Sequence, residues 1–378
     1  MNQYKICVYA ICKNEVKFVD RWMDSMGEAD EIIVTDTGST DGTAEKLRAR
    51  GAVVYEEKVE PWRFDTARNL SLSHVPGDAD ICVCTDLDEV LVRGWRKSLE
   101  KAWVKGATRG KYIYNWSLKP DGTPGVQFEY FKVHAKKDYQ WVCPVHEYLT
   151  YVGKAPEKVV FIEGMVLNHY PDDCKSRSSY LPLLETAVQE EPENDRMNYY
   201  LGREYMYKGE WQKCIDTLKR YLTLRTALWN EERCAAMRWI ARSYSKLSEN
   251  AEAYRWYYRA IAEAPHMRDP YIEFALLGYF RQDWALTFYM VEEALKIKQR
   301  SKTYVNMDYS WDYTPDDLGA ISCYWLGMLD QSLKHAKAAL SYSPNDERLK
   351  KNLALIQNRF NELNTKKAEP HESFQNHF

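Results

Sequence analysis

The sequence predicts an α/β nucleotide-binding domain followed by an all-α array of helical repeats. Three observations carry that reading. Up to Pro171, apolar runs of strand length alternate with stretches of helical spacing. After Pro171 the strand patterns vanish, and helical patterns rich in Ala, Leu and Tyr take over. Within that second part a spacing of roughly 34 residues recurs, the period of a two-helix repeat.

The first half is expected to be a parallel, doubly wound sheet. Ile6 to Ile11 reads as a buried strand, followed by the polar turn Cys12-Lys-Asn-Glu15. Val16 to Met26 carries Phe18, Val19, Trp22 and Met26 on one helical face. Glu31 to Asp36 reads as a second strand, and it ends in Thr37-Gly-Ser-Thr-Asp-Gly-Thr43, a loop that bends the chain and presents backbone N–H groups. A helix over Ala44–Arg50 and a short strand over Val53–Glu57 follow, and Asp41 is read as shaping the loop ahead of that helix. Trp62-Arg-Phe-Asp-Thr-Ala-Arg-Asn69 begins another helix, leading to a strand at Ile81–Cys84.

That strand stops at Asp86 and Asp88, with Glu89 after them. Carboxylates at i and i+2 of an extended chain point to one side. At the carboxyl ends of parallel strands, where ligands of such sheets collect, the pair suits a divalent ion and its phosphates. An acidic loop after a strand is the simpler reading of an isolated Asp-x-Asp. Arg68 is either a solvated charge or a planar fork for phosphate or a base carbonyl. Further strands are expected over Lys111–Trp116, Val126–Val133 and Val159–His169, with turns at Pro120-Asp-Gly122 and Thr123-Pro-Gly125. Two polar clusters stand out there: Trp141-Val-Cys-Pro-Val-His146-Glu147 and Leu167-Asn-His169-Tyr-Pro171.

The order Cys12-Lys-Asn-Glu15, Ile33-Val-Thr-Asp36-Thr-Gly-Ser-Thr-Asp41-Gly-Thr43, Ala67-Arg-Asn69, Asp86-Leu-Asp88 closely resembles the family 2 glycosyltransferases of GT-A fold. The resemblance covers about residues 4–170. It implies that Asp36 binds the nucleobase of a nucleotide sugar, that Arg68 lies near base or diphosphate, and that Asp86 approaches ribose and metal. It implies that Asp88 coordinates Mn2+ or Mg2+ through the diphosphate. A late histidine completes the metal site in several such enzymes; His169 fits that place, and a structural histidine is the other reading. Transfer also needs a base for the acceptor's proton. Glu147 is the choice, with His146 supporting it or taking the role, against a hydrogen-bonded pair at a strand end.

In the second half, Ile240, Ala241, Tyr244, Ala253, Tyr257, Ala260 and Pro265 fall on the tetratricopeptide-repeat (TPR) pattern. Leu201, Gly202, Tyr205, Cys214, Leu218 and Tyr221 form a unit before it; Ala275 to Ala294 and Ala320 to Pro344 form two after it. The insert Tyr304-Val-Asn-Met-Asp-Tyr-Ser-Trp-Asp-Tyr313 is a lid, an acceptor contact or a packing loop. The expected domains are 1–172, the GT-A glycosyltransferase; 173–362, the repeats, with Leu349–Phe360 capping them; and a disordered tail. The tail is expected from Asn364 onwards. Repeat solenoids offer a concave surface to a peptide or protein; dimerisation and bracing of the first domain are the alternatives.

Across its 378 residues, 52 Lys+Arg against 55 Asp+Glu leave a formal charge of -3, which argues against a bulk nucleic-acid footprint. No apolar run is long enough to span a bilayer and no secretory segment opens the sequence, so a soluble, cytoplasmic protein is expected. Most of the nine cysteines sit in apolar patterns without paired C-x-x-C clusters, as reduced core residues do. The functional expectation is an inverting, metal-dependent glycosyltransferase. Its donor is a nucleotide sugar, UDP favoured by the resemblance alone, and its acceptor a peptide or protein side chain. A polysaccharide, lipid-linked glycan or modified-DNA acceptor, and a non-catalytic TPR scaffold, are the competing readings. A nucleotidyltransferase would open with a Gly-rich basic loop where this chain has Cys12-Lys-Asn-Glu15.

Overall fold

The computed structural model describes residues 4–172 and 179–368. It divides into two compact units: the first runs to Lys208 and includes Lys302–Tyr304, and the second comprises Gly209–Ser301 and the residues from Val305 on.

In the first unit, β1 (Ile6–Cys12), α1 (Val19–Met26), β2 (Glu31–Asp36), α2 (Thr43–Ala49), β3 (Val53–Glu56), α3 (Phe64–His74) and β4 (Ile81–Cys84) alternate as the sequence predicts. Then come β5 (Glu89–Leu91), α4 (Trp95–Ala102), β6 (Arg109–Asn115), β7 (Gln127–Ala135), β8 (Tyr139–Val142), β9 (Tyr148–Tyr151) and β10 (Val159–His169). One eight-stranded sheet has the order β3-β2-β1-β4-β7-β6-β10-β5. β1 to β4 are parallel, but β7 pairs antiparallel with β4, so the sheet is mixed rather than wholly parallel. The cause is local: β6 and β7 form an antiparallel pair across the turns at 120–125, which reverses the chain beside β4. β8 and β9 form a separate hairpin that the sequence reading did not resolve.

β1 is buried along its whole length, as a strand covered on both faces must be. Its alternate residues divide between two cores. Ile6, Val8 and Ala10 face Trp22, Met26, Trp95 and Leu99; Cys7 and Tyr9 face Leu72, Trp141 and Leu149. α4, absent from the sequence reading, presents Trp95 and Leu99 one turn apart to the first of these cores. Helices α5 (Tyr180–Glu190) and α6 (Asp195–Lys208) complete the unit.

The second unit contains α7 (Trp211–Tyr221), α8 (Asn230–Lys246), α9 (Asn250–Glu263), α10 (Asp269–Phe280), α11 (Trp284–Lys296), α12 (Thr314–Trp325), α13 (Leu329–Tyr342) and α14 (Glu347–Ala368). α8 packs on α9, α10 on α11 and α12 on α13, and each pair touches the next, which is the architecture of stacked TPR hairpins. Small residues sit at the close approaches, with Ala253, Ala260, Ala275, Ala294, Ala320, Ala336 and Ala339 all buried. The expected unit of α6 with α7 is divided instead: α6 packs with α5 in the first unit and α7 with α8 in the second. The compact boundary therefore falls at Lys208, past two helices that follow the change of composition at Pro171. α14 continues to Ala368, so the part of the expected tail at 364–368 is helical; the rest of the tail lies outside the described residues.

The insert resolves as a packing segment over Val305–Trp311. Arg238 Nη2 donates to Val305 O (2.9 Å), Met307 N to Asp269 Oδ1 (2.6 Å) and Tyr309 OH to Glu273 Oε1 (2.9 Å). Arg268 lies over the Trp311 ring at 3.9 Å.

Candidate active site

The carboxyl ends of β2, β1 and β4 lie side by side in the parallel half of the sheet. Asp36 closes β2 and is buried. Its Oδ1 accepts the N–H groups of Gly38 (2.9 Å) and Ser39 (2.7 Å), while Oδ2 meets the Cys12 Sγ–H at 3.3 Å. Gly38, at φ 107°, is what lets the loop fold back onto the carboxylate. Asp41 accepts from Thr43 N and Val16 N, the loop-shaping role expected of it.

At the end of β4 stands a dense charge lattice. Arg68, on α3 and buried, donates from Nη2 to Asp86 Oδ1 (2.7 Å) and from Nε to Glu147 Oε1 (2.5 Å). Its guanidinium lies over the Trp141 ring at 5.1 Å. Asn69 exchanges two 2.8 Å hydrogen bonds with the backbone of Trp141, fixing α3 to β8 and thereby aiming Arg68. Lys132, from β7, donates to Asp86 Oδ2 at 2.9 Å and lies 3.6 Å from Glu89. Glu89 accepts from Asp86 N (2.8 Å) and from Tyr114 OH (2.9 Å).

Titration follows from these contacts. Burial works to lower the pKa of both Arg68 and Lys132, but the carboxylates around them win and both are raised, so both stay charged. Burial opposes ionisation of Asp86 as well; Arg68 and Lys132 outweigh it and hold the carboxyl well below the usual range. Glu89 is raised, chiefly by burial.

Asp88 and His169 form a second, simpler group. His169 Nε2 lies 3.6 Å from Asp88 Oδ2, and its Nδ1 is 3.0 Å from Trp116 O. A carbonyl accepts only, so Nδ1 carries the proton and a neutral ring turns its Nε2 lone pair towards Asp88. Burial works to lower the His169 pKa, but Asp88 and the Trp116 carbonyl raise it on balance.

The structure thus brings Arg68, Asp86 and Glu147 into one hydrogen-bonded set and Asp88 and His169 into another. It does not assemble the expected trio of metal ligands. Asp86 spends one oxygen on Arg68 and the other on Lys132. Among the described residues no group of three or more His, Cys, Asp or Glu is placed to hold a metal ion. His146 stands apart from Glu147's partner. Its backbone is left-handed (φ 51°), its ring stacks on Tyr200 at 4.0 Å, and Nε2 faces Arg203 Nη2 at 3.2 Å. Sequence reasoning missed Lys132, Glu89 as a structural partner, Tyr114 and Trp116. The available signal was Lys132 itself: it shares strand parity with Phe128 and Tyr130 in a run where a lysine needs a buried partner.

Residues 7–127 match the model of the family described as Glycosyl transferase family 2, so the first unit carries a glycosyltransferase domain. The chain is also 26% identical over 132 residues to Lipopolysaccharide assembly protein B of Escherichia coli (strain K12), an alignment that takes in 34% of this chain and 32% of that protein. The chain thus spans about a third of the length of the curated relatives it matches. Among solved structures, yeast Tom70 is similar at a TM-score of 0.38 and 13% identity, over 51% of this chain and 38% of that one. MamA is similar at 0.37 and 18%, over 46% and 96% of the two chains. A tetratricopeptide repeat protein from Parabacteroides merdae is similar at 0.37 and 19%, over 50% and 69%. No helix among the described residues is long and apolar enough to cross a membrane.

Proposed function

We propose, from a chain whose residues 7–127 form a family 2 glycosyltransferase domain, that this protein moves a hexose from a nucleotide sugar to a side chain of a peptide or protein, with inversion. The observation that carries the reading is the Asp88–His169 pair beside the Arg68–Asp86–Lys132 lattice, at the carboxyl ends of the strands. A UDP-sugar is the favoured donor by family resemblance.

A divalent cation fits Asp88 and His169. The histidine's far N–H is fixed by a backbone carbonyl, the usual support of a metal-binding imidazole. Mn2+ or Mg2+ would be held by these two residues and would supply Lewis-acid stabilisation of the leaving diphosphate. Asp36 takes the nucleobase: the thiol on its Oδ2 is a weak donor that a base N–H replaces with little loss. Arg68 and Lys132 keep permanent positive charge at the mouth of the sheet, which attracts the anionic donor and holds Asp86 in one orientation for the ribose.

Transfer is a single displacement. The acceptor heteroatom attacks the anomeric carbon on the face opposite the diphosphate, and the carbon–oxygen bond breaks with its electron pair leaving on the nucleoside diphosphate. Glu147 takes the acceptor proton on Oε2, since Oε1 is held by Arg68. His146, turned to Tyr200 and Arg203, is assigned a structural role. The TPR hairpins of the second unit are the surface offered to the acceptor protein or to a second copy.

The test is a thermal-shift titration with UDP, GDP and their common hexose conjugates, with and without Mn2+, on wild type and Asp88→Asn. A shift that requires metal and is lost in Asp88→Asn is expected, because a ligand that binds only the folded state raises the melting temperature. Metal-independent hexose transfer surviving Asp88→Asn would falsify the assignment.

A further inference from the structure

We infer that the exposed indole of Trp116 is the platform on which the hexose of the donor stacks. The inference rests on the glycosyltransferase reading of this site and names its sugar subsite. Among the described tryptophans of the first unit, Trp22, Trp95, Trp103 and Trp141 are buried in its cores and Trp62 is half-buried, whereas Trp116 is 44% exposed. Its exposed face is apolar surface open to a ligand.

The ring is also held still. Trp116 follows β6; its N–H donates to Val126 O at 2.9 Å and its carbonyl accepts from His169 Nδ1 at 3.0 Å. One face stacks on the His169 imidazole, centroids 4.8 Å apart and planes 28° from parallel, and Tyr114 meets the ring edge-on at 6.1 Å. The same histidine therefore touches Asp88 through one nitrogen and carries Trp116 on its face. A hexose joined to a diphosphate at Asp88 and His169 lies within one ring's width of this indole. The indole N–H has no hydrogen-bond partner among the described residues, so it is free to donate to a sugar hydroxyl. An apolar face with one donor at its edge is the chemistry that binds the C–H face of a pyranose. The nucleobase, proposed at Asp36 on β2, is four positions along the sheet from β6, which leaves the indole to the sugar.

The experiment is calorimetric titration of the full chain, in Mn2+, with UDP, UDP-glucose, UDP-N-acetylglucosamine, GDP and GDP-mannose. Wild type, Trp116→Phe, Trp116→Leu and Trp116→Ala are compared. The expected result is a Kd for the bare nucleoside diphosphate that stays within about twofold in every variant. The Kd for its hexose conjugate rises about tenfold in Trp116→Ala and Trp116→Leu and much less in Trp116→Phe. Trp116→Leu keeps apolar bulk, so it carries the test if Trp116→Ala fails to fold. Equal weakening of diphosphate and conjugate, or no change in either, overturns the inference. If wild type binds no nucleotide at all, the glycosyltransferase reading fails and this inference with it; intact UDP binding separates the two failures.

Discussion

In the first unit Arg68 is shared between Asp86 and Glu147, and Lys132 between Asp86 and Glu89. In the second, Arg238 is shared between Asp269 and Glu273, and Arg242 reaches Glu273 as well. Both clusters draw their members from several elements, yet they differ in access. Asp86 keeps 31% of its side chain exposed, whereas the Arg238 and Asp269 side chains have none. The sealed cluster spends its remaining hydrogen bonds on the backbone of the insert at Val305 and Met307. The open one leaves the Asp86 carboxylate partly exposed, with Arg68 and Lys132 buried against it. Burial of ions is thus a locking device in the repeats and a pre-set charge pattern in the transferase domain.

The largest effect should come from breaking the sealed cluster. Arg238→Met leaves Asp269 and Glu273 without their main cation, and removing one partner of a buried pair costs about 4 kcal/mol. Urea unfolding should show that loss, with faster proteolysis within the insert, while the metal-dependent nucleotide shift of the first unit persists. Loss of nucleotide binding in this variant would break the distinction between the two clusters.

Arg68→Met should cost somewhat less stability, about 3 kcal/mol, because water can reach Asp86. It should also abolish the nucleotide-dependent shift, which Arg238→Met leaves alone. Thermal melts of both variants with and without UDP and Mn2+ make the comparison directly. If Arg68→Met still bound nucleotide at wild-type affinity, the open cluster would be only another structural lock.

Much of the first cluster was legible in the sequence, and the reasons are local. Asp86 and Asp88 follow an apolar run of strand length, β10 falls on its expected residues, and Asp36 ends a strand ahead of a Gly-rich turn. The spacing of small residues located the hairpins from α8 to α13. What could not be read was pairing across long separations. Glu147 meets Arg68 across 79 positions and Lys132 meets Asp86 across 46; strand parity hints that Lys132 is buried, but no local pattern names either partner. The pairing of Asp86 with two cations was hidden for that reason, since they come from α3 and β7. The division between α6 and α7 was hidden likewise, because the repeat pattern of small residues continues through it while the packing does not.

A buried titratable group without a counter-ion gives a third point of reference. His134 accepts the Tyr9 hydroxyl on Nε2 at 2.8 Å and donates from Nδ1 to Ala135 O at 2.7 Å. Burial, with Arg109 and Lys136 nearby, pushes its pKa from 6.5 down to about 3. The folded state thus refuses a proton that the unfolded chain accepts below pH 6.5. The stability this creates is complete above the unfolded value and is lost as pH falls towards the folded one. Between pH 7 and pH 5 the loss from this group should be about 2 kcal/mol. Urea midpoints of wild type and His134→Asn across that range measure it, and an equal pH slope in both would assign the acid sensitivity to other groups.

The smallest effect should be at Asp41, where a carboxylate near the open cluster is committed to backbone rather than to ions. Its Oδ1 accepts from Thr43 N at 3.0 Å and its Oδ2 from Val16 N at 3.1 Å. Thr43 Oγ1 in turn accepts from Glu15 N at 2.8 Å, so Asp41 binds the turn after β1 to the start of α2. Its side chain is exposed, and Asp41→Ala should cost about 1 kcal/mol, the scale of losing a cap at a helix start. Nucleotide affinity should stay near wild type, because both oxygens already point into the loop and Asp36 has its own donors in Gly38 and Ser39. Urea unfolding and UDP calorimetry on the same variant separate the two roles. A tenfold loss of UDP affinity with an unmoved urea midpoint would mean that Asp41 faces the ligand, and the open cluster would then reach across the loop to α2.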